Sequence, residues 1–111
     1  MDLAHTIVNA LEEKKGENII LLDIKEITSF TDYFIICTAT SNRMLNALAD
    51  GVMEKTRIDH NRKGRIEGTP DSGWIIVDYG DIVVHIFDTE LRQYYRLEEL
   101  WDEGKVLLRV Q

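Results

Sequence analysis

After Asp2, apolar Leu3, Ile7 and Leu11 recur every fourth residue, and Gly16 follows Lys14 and Lys15. This spacing predicts a helix that buries one face and stops at the glycine. Asn18 to Ile24 reads as a strand, because Ile19-Ile20-Leu21-Leu22 is too short for a helix and leaves both alternating faces apolar. Tyr33 to Thr38, rich in aromatic and β-branched residues, predicts a second inner strand after a polar connection from Lys25 to Asp32. Thr40-Ser41-Asn42 then offers hydroxyl and amide caps. Leu45, Leu48, Ala49, Val52 and Met53 follow at the spacing of one helix face, running to about Arg57.

The stretch from Glu67 to Gly73 holds the only proline and two of the seven glycines, so it predicts a turn or exposed loop, with short β structure before it at Arg65-Ile66. Trp74 to Asp78 and Asp81 to Phe87 are β-type runs separated by Tyr79-Gly80. Gly80 supplies the positive φ that a two-residue hairpin commonly requires. Beyond Asp88, the residues Leu91, Tyr94, Tyr95, Leu97, Leu100 and Trp101 predict one or two short helices, and Lys105 to Val110 a final strand. The order implies an α/β or α+β fold: a mixed central sheet flanked by helices. With 111 residues there is room for one core and no second domain.

Composition narrows the function classes. No apolar run approaches the roughly 20 residues of a membrane helix, and no charged start leads into an apolar targeting segment. With no transit segment before Met1, a cytoplasmic protein without membrane contact is expected. Cys37 stands alone, so neither an internal disulfide nor a thiolate zinc site is available and packing must hold the fold. Thirteen basic against 20 acidic residues give a net charge of −7. That balance disfavours DNA and other polyanions and suits a basic protein partner.

His5, His60 and His85 lie outside helical i, i+4 reach of one another, so no metal site is expected. His85, within Ile82-Val83-Val84-His85-Ile86-Phe87, reads as a half-buried strand histidine with one hydrogen bond, close enough to the hairpin to leave a binding role open. Cys37, among Ile35, Ile36 and Thr38, reads as a small hydrophobe rather than a nucleophile, and Ser41 as a helix cap. Asp78 and Asp81 flank the turn as turn formers or partner contacts, with cation binding or acid/base chemistry as the sharper alternative. Together with Trp74 and Tyr79 they combine aromatic contact area with acidic groups, as protein interfaces often do. Both faces of the Trp74 strand are apolar, so a core position for Trp74 is the competing reading. Arg57, Arg62, Lys63 and Arg65 form the one notable basic cluster, read as a solvated helix end and loop; a minor ribosomal RNA contact is the alternative, though interleaved aromatics are missing.

Five segments taken together resemble the Iojap family of ribosomal silencing factors, RsfS. They are Ser29-Phe30-Thr31-Asp32-Tyr33-Phe34, Thr38-Ala39-Thr40-Ser41-Asn42-Arg43, Glu67-Gly68, Trp74 with Asp78-Tyr79-Gly80-Asp81-Ile82-Val83-Val84-His85, and Tyr95-Arg96-Leu97-Glu98-Glu99-Leu100-Trp101. The resemblance implies a nucleotidyltransferase-like fold without transferase activity or cofactor, usually as a homodimer. It further implies binding to a basic large-subunit ribosomal protein at the subunit-joining face, so that the small subunit cannot dock and translation slows when nutrients are scarce. A part in large-subunit maturation belongs to the same picture. Carried over by position, Trp74 and Tyr79 are the expected aromatic anchors, Asp78 and Asp81 the acidic neighbours, and Gly80 the residue that shapes the turn. His85 and the segment around Tyr95 are further members.

Two features depart from the family pattern: Ala39 replaces a common glycine, and Asp102 to Gln111 is expected to lie beyond the matched region. The rival reading is a small nucleotidyltransferase or nucleotide-binding protein. Such enzymes resemble one another in a Gly-Ser pair opening a helix and an Asp-x-Asp pair on a strand that holds magnesium. Here Ala39-Thr40-Ser41 lacks the glycine, and Asp78 and Asp81 are three apart across a turn, so no enzyme is expected.

Overall fold

The computed structural model describes residues 2–95 and 105–110. Along the chain come α1 (Asp2–Glu13), β1 (Glu17–Asp23), β2 (Tyr33–Ala39), α2 (Asn42–His60), β3 (Arg65–Thr69), β4 (Trp74–Asp78), β5 (Ile82–Asp88), α3 (Thr89–Tyr95) and β6 (Lys105–Val110). The strands form one six-stranded sheet in the order β3-β4-β5-β2-β1-β6. Its pairings are antiparallel except for β2 with β5, which makes the sheet mixed as expected. Among the described residues no helix is long and apolar enough to cross a membrane.

Strand alternation divides the apolar residues into two layers. Ile19, Leu21, Ile35, Cys37, Val77, Val84 and Ile86 face the buried stripes of α1 and α2, including Ile7, Leu11, Leu45, Leu48 and Val52. On the other face a smaller cluster of Ile20, Leu22, Ile24, Phe34, Ile36 and Phe87 is joined by partly buried Ile27, Trp74, Val83 and Leu91. Buried Arg92 ties α3 to this side of the molecule, donating to Thr38 Oγ1 at 2.9 Å and to the Asn18 carbonyl at 3.0 Å. Thr6 Oγ1 lies 2.7 Å from His60 Nε2, joining α1 to the end of α2.

Three differences from the sequence expectation bear on the site, beside shifts of one residue at the ends of β1 and β2. Helix α2 continues to His60, where Asn61 takes a left-handed conformation and its N–H returns to the Arg57 carbonyl. Residues 67–69, expected in a loop, extend β3 because Glu67, Gly68 and Thr69 pair with Ile76, Ile75 and Trp74. Only the following Pro70–Ser72 makes the turn, and β3 is an edge strand, where a neighbouring proline costs the sheet little. The hairpin is shifted by one residue. Asp78 pairs with Val83, and the Tyr79 N–H donates to the Ile82 carbonyl at 2.9 Å, so the two-residue loop is Gly80-Asp81 rather than Tyr79-Gly80. Gly80 has φ of 89° while Asp81 is not at positive φ, which suits a loop with glycine at its first central position. Within the helical region expected from Leu91 to Trp101, α3 runs to Tyr95 and the remainder lies outside the described residues.

A candidate partner-binding face

The sheet face turned away from α1 and α2 carries Trp74, Ile76 and Asp78 from β4, Val83, His85 and Phe87 from β5, and Phe34 from β2. Cross-strand register sets Ile76 opposite His85, Trp74 opposite Phe87 and Phe34 beside Val83. Half-buried Trp74 stacks at a tilt on Phe87 with ring centroids 4.9 Å apart, and its indole Nε1–H donates to His85 Nδ1 at 3.2 Å. It therefore packs on the second core cluster and remains partly accessible. The Phe34 ring meets His85 edge-on at 4.6 Å. Burial pushes the His85 pKa down to about 4, against a weaker opposing pull from the Asp78 carboxylate, so the ring is neutral at pH 7. The expected single hydrogen bond is present, and Nε2 has none among the described residues.

Beside these rings lies an open hollow of about 320 Å³. Phe30, Phe34, Ile76 and Val83 give it apolar sides, and Glu67 and Asp78 add carboxylates. Sequence reasoning assigned no role to Phe30 or Glu67, although both lie in segments that carry the family resemblance. The available signal was an aromatic within the otherwise polar connection Thr28 to Asp32: Phe30 is 70% exposed. An isolated exposed apolar residue is ordinary, but one beside a half-open apolar hollow extends a patch.

At the hairpin tip, Asp78 Oδ1 accepts from the Gly80 N–H at 2.8 Å, fixing the turn. The Asp78 carboxylate also pairs with Arg65 at 3.4 Å, and Asp81 with Arg62 at 2.8 Å. Arg62 donates to the Tyr79 carbonyl as well, at 3.0 Å. Two members of the basic cluster thus engage the two acids singled out in the sequence, a non-local pairing that spacing does not reveal.

The expectation of Tyr79 as a surface anchor is corrected. The one-residue shift of the hairpin turns its side chain to the helix-covered face, where it is 9% exposed and joins the main core. Its hydroxyl lies 2.7 Å from Thr56 Oγ1, and burial raises the phenol pKa. The ring also approaches Gly64 so closely that a Cβ there would lie 2.9 Å from it. Tyr95 ends α3, and its side chain lies outside the described residues. Ser41 caps α2 by accepting from the Met44 N–H at 3.1 Å. Cys37 is fully buried, and burial pushes its thiol up to about 12, far from a reactive thiolate. Among the described residues no three His, Cys, Asp or Glu side chains are grouped to hold a metal ion.

A sequence model of the family described as "ribosomal silencing factor during starvation" matches residues 1–110. The chain belongs to the ribosomal silencing factor family. Its match takes in residues 102–110, and Lys105–Val110 forms strand β6 on the edge beside β1. The ribosomal silencing factor RsfS of Halalkalibacterium halodurans is 34% identical over 103 residues, which cover 93% of this chain and 88% of the relative. The mouse protein named mitochondrial assembly of ribosomal large subunit protein 1 is 33% identical over 100 residues, covering 86% of this chain and 43% of that longer protein. Among solved structures, protein CV0518 of Chromobacterium violaceum is 37% identical and superposes with a TM-score of 0.86, covering 91% of this chain and 84% of that one.

Proposed function

We propose that this silencing factor binds the large ribosomal subunit through a basic ribosomal protein at the subunit-joining face and thereby prevents the small subunit from docking. The observation that carries this reading is the half-open aromatic face with acids at its edge, on a chain of net charge −7 in this family. Trp74 and Phe30 supply apolar contact, Gly80 shapes the turn, and Asp78 and Asp81 meet lysine or arginine from the partner. Both carboxylates already hold an exposed arginine, but exposed ion pairs are each worth only about 0–1 kcal/mol, so exchange for a partner's cation costs little. Obstruction comes from the body of the domain. In this reading the protein works in the cytoplasm as a homodimer, without catalysis or cofactor.

A part in large-subunit assembly is the second reading, favoured by the name of the mouse relative, and the same contact serves both. Sedimentation of separated subunits with and without the purified protein tests the first. Co-migration with the large subunit and fewer joined ribosomes are expected. Protein that stays at the top of the gradient, with joining unaffected, refutes the silencing reading.

A further inference from the structure

The Trp74 indole donates to His85 Nδ1, so the neutral imidazole carries its one proton on Nε2. That donor is buried, 7% of the residue being exposed, and has no hydrogen-bond partner among the described residues. Buried donors are nearly always paired, and an orphan beside a hollow points to a missing acceptor. His85 lines the hollow described above, together with the apolar Phe30, Phe34, Ile76 and Val83 and with Glu67, Asp78 and Gly80. An anion is opposed by the carboxylates of Glu67 and Asp78. A metal finds no lone pair on a protonated Nε2.

We infer that the hollow receives one residue of a protein partner: an apolar side chain whose carbonyl oxygen accepts from His85 Nε2–H, next to a lysine or arginine that reaches Glu67 and Asp78. Charge complementarity selects the flanking cation. Glu67 is exposed and has no ion-pair partner among the described residues, and Asp78 holds Arg65 at a loose 3.4 Å. Trp74 acts here as a positioning residue, because its donation to Nδ1 keeps the proton on Nε2. The inference rests on the proposed ribosomal contact only for the identity of the protein that presents this residue.

The test has two arms. In ¹⁵N-labelled wild-type protein, the imidazole nitrogens of His85 are expected to show the Nε2–H tautomer. Titration with the blocked dipeptide N-acetyl-leucyl-lysine amide at millimolar concentration is then expected to shift Nε2 together with the Phe34 ring signals. A different tautomer, or a dipeptide that leaves His85 unmoved, overturns the inference without reliance on any variant folding. In the second arm, His85→Phe keeps a ring among Phe34 and Phe87 but removes the donor, and is expected to weaken binding to purified large subunits about tenfold. His85→Gln, which retains an N–H near the same place, is expected to recover most of that loss. Folded His85→Phe that binds as well as wild type overturns the hollow's part in the contact. If wild-type protein itself fails to bind large subunits, the proposed function falls, while the dipeptide titration still decides the hollow.

Discussion

The two faces of the sheet are built from equally apolar strands and differ in what lies over them. On one, α1 and α2 bury Ile35, Val77, Val84 and Ile86 completely. On the other, the loop after β1 and helix α3 cover part of the surface, leaving Trp74 half-buried, Phe30 exposed and a histidine donor unpaired. The closed face stores stability, whereas on the proposed reading the open one keeps apolar area and hydrogen-bonding capacity for a partner. Residues on the two faces should therefore fail in different assays when truncated.

The largest effect is expected on the closed face. Leu48→Ala removes a fully buried side chain between α2 and the sheet and should cost about 2–5 kcal/mol in urea unfolding. A loss below 1 kcal/mol, no larger than that of a surface change, would erase the contrast between the faces. Next comes pH. His85 protonates near pH 4 when folded and near 6.5 when unfolded. Between those values the unfolded chain binds the extra proton, so stability falls as pH drops from 6.5 to 4, by about 3 kcal/mol in all. In His85→Phe that component should vanish, and identical pH profiles for the two proteins would show that the ring is not held neutral by burial.

On the open face, Trp74→Ala should leave the domain folded and lower affinity for large subunits about thirtyfold, or about 2 kcal/mol. A variant that melts early yet binds normally would return Trp74 to the core. The smallest effect is expected from Tyr79→Phe. It removes the hydroxyl beside Thr56 and should cost about 1 kcal/mol in stability while leaving ribosome binding unchanged. Weakened binding by this variant at full stability would bring Tyr79 back to the interface.

Most of the fold was legible because its signals are local. The periodicity of α1 and α2, the apolar runs of β1 and β2 and the hairpin glycine each depend on residues a few positions apart. Tyr79 was misassigned because face identity in a hairpin hinges on a single residue of register, and both Tyr79-Gly80 and Gly80-Asp81 are acceptable turn pairs. The pairing of Arg62 with Asp81 and the reach of Arg92 to Asn18 join residues 19 and 74 positions apart, which no spacing rule connects. The hollow draws on Phe30 and Phe34 from one segment, Glu67 from β3 and Ile76 from β4, so sequence reasoning found Asp78 and His85 in its lining and Trp74 beside it but not the concavity itself.

Side-chain radical footprinting of the protein, free and bound to purified large subunits, tests most directly whether the open face is the one used. Phe30 and Trp74 are expected to lose reactivity on binding, while Ile58, 61% exposed on α2, keeps it. Protection of Ile58 with Phe30 and Trp74 unchanged would place the contact on the helical side and contradict the division of roles between the two faces.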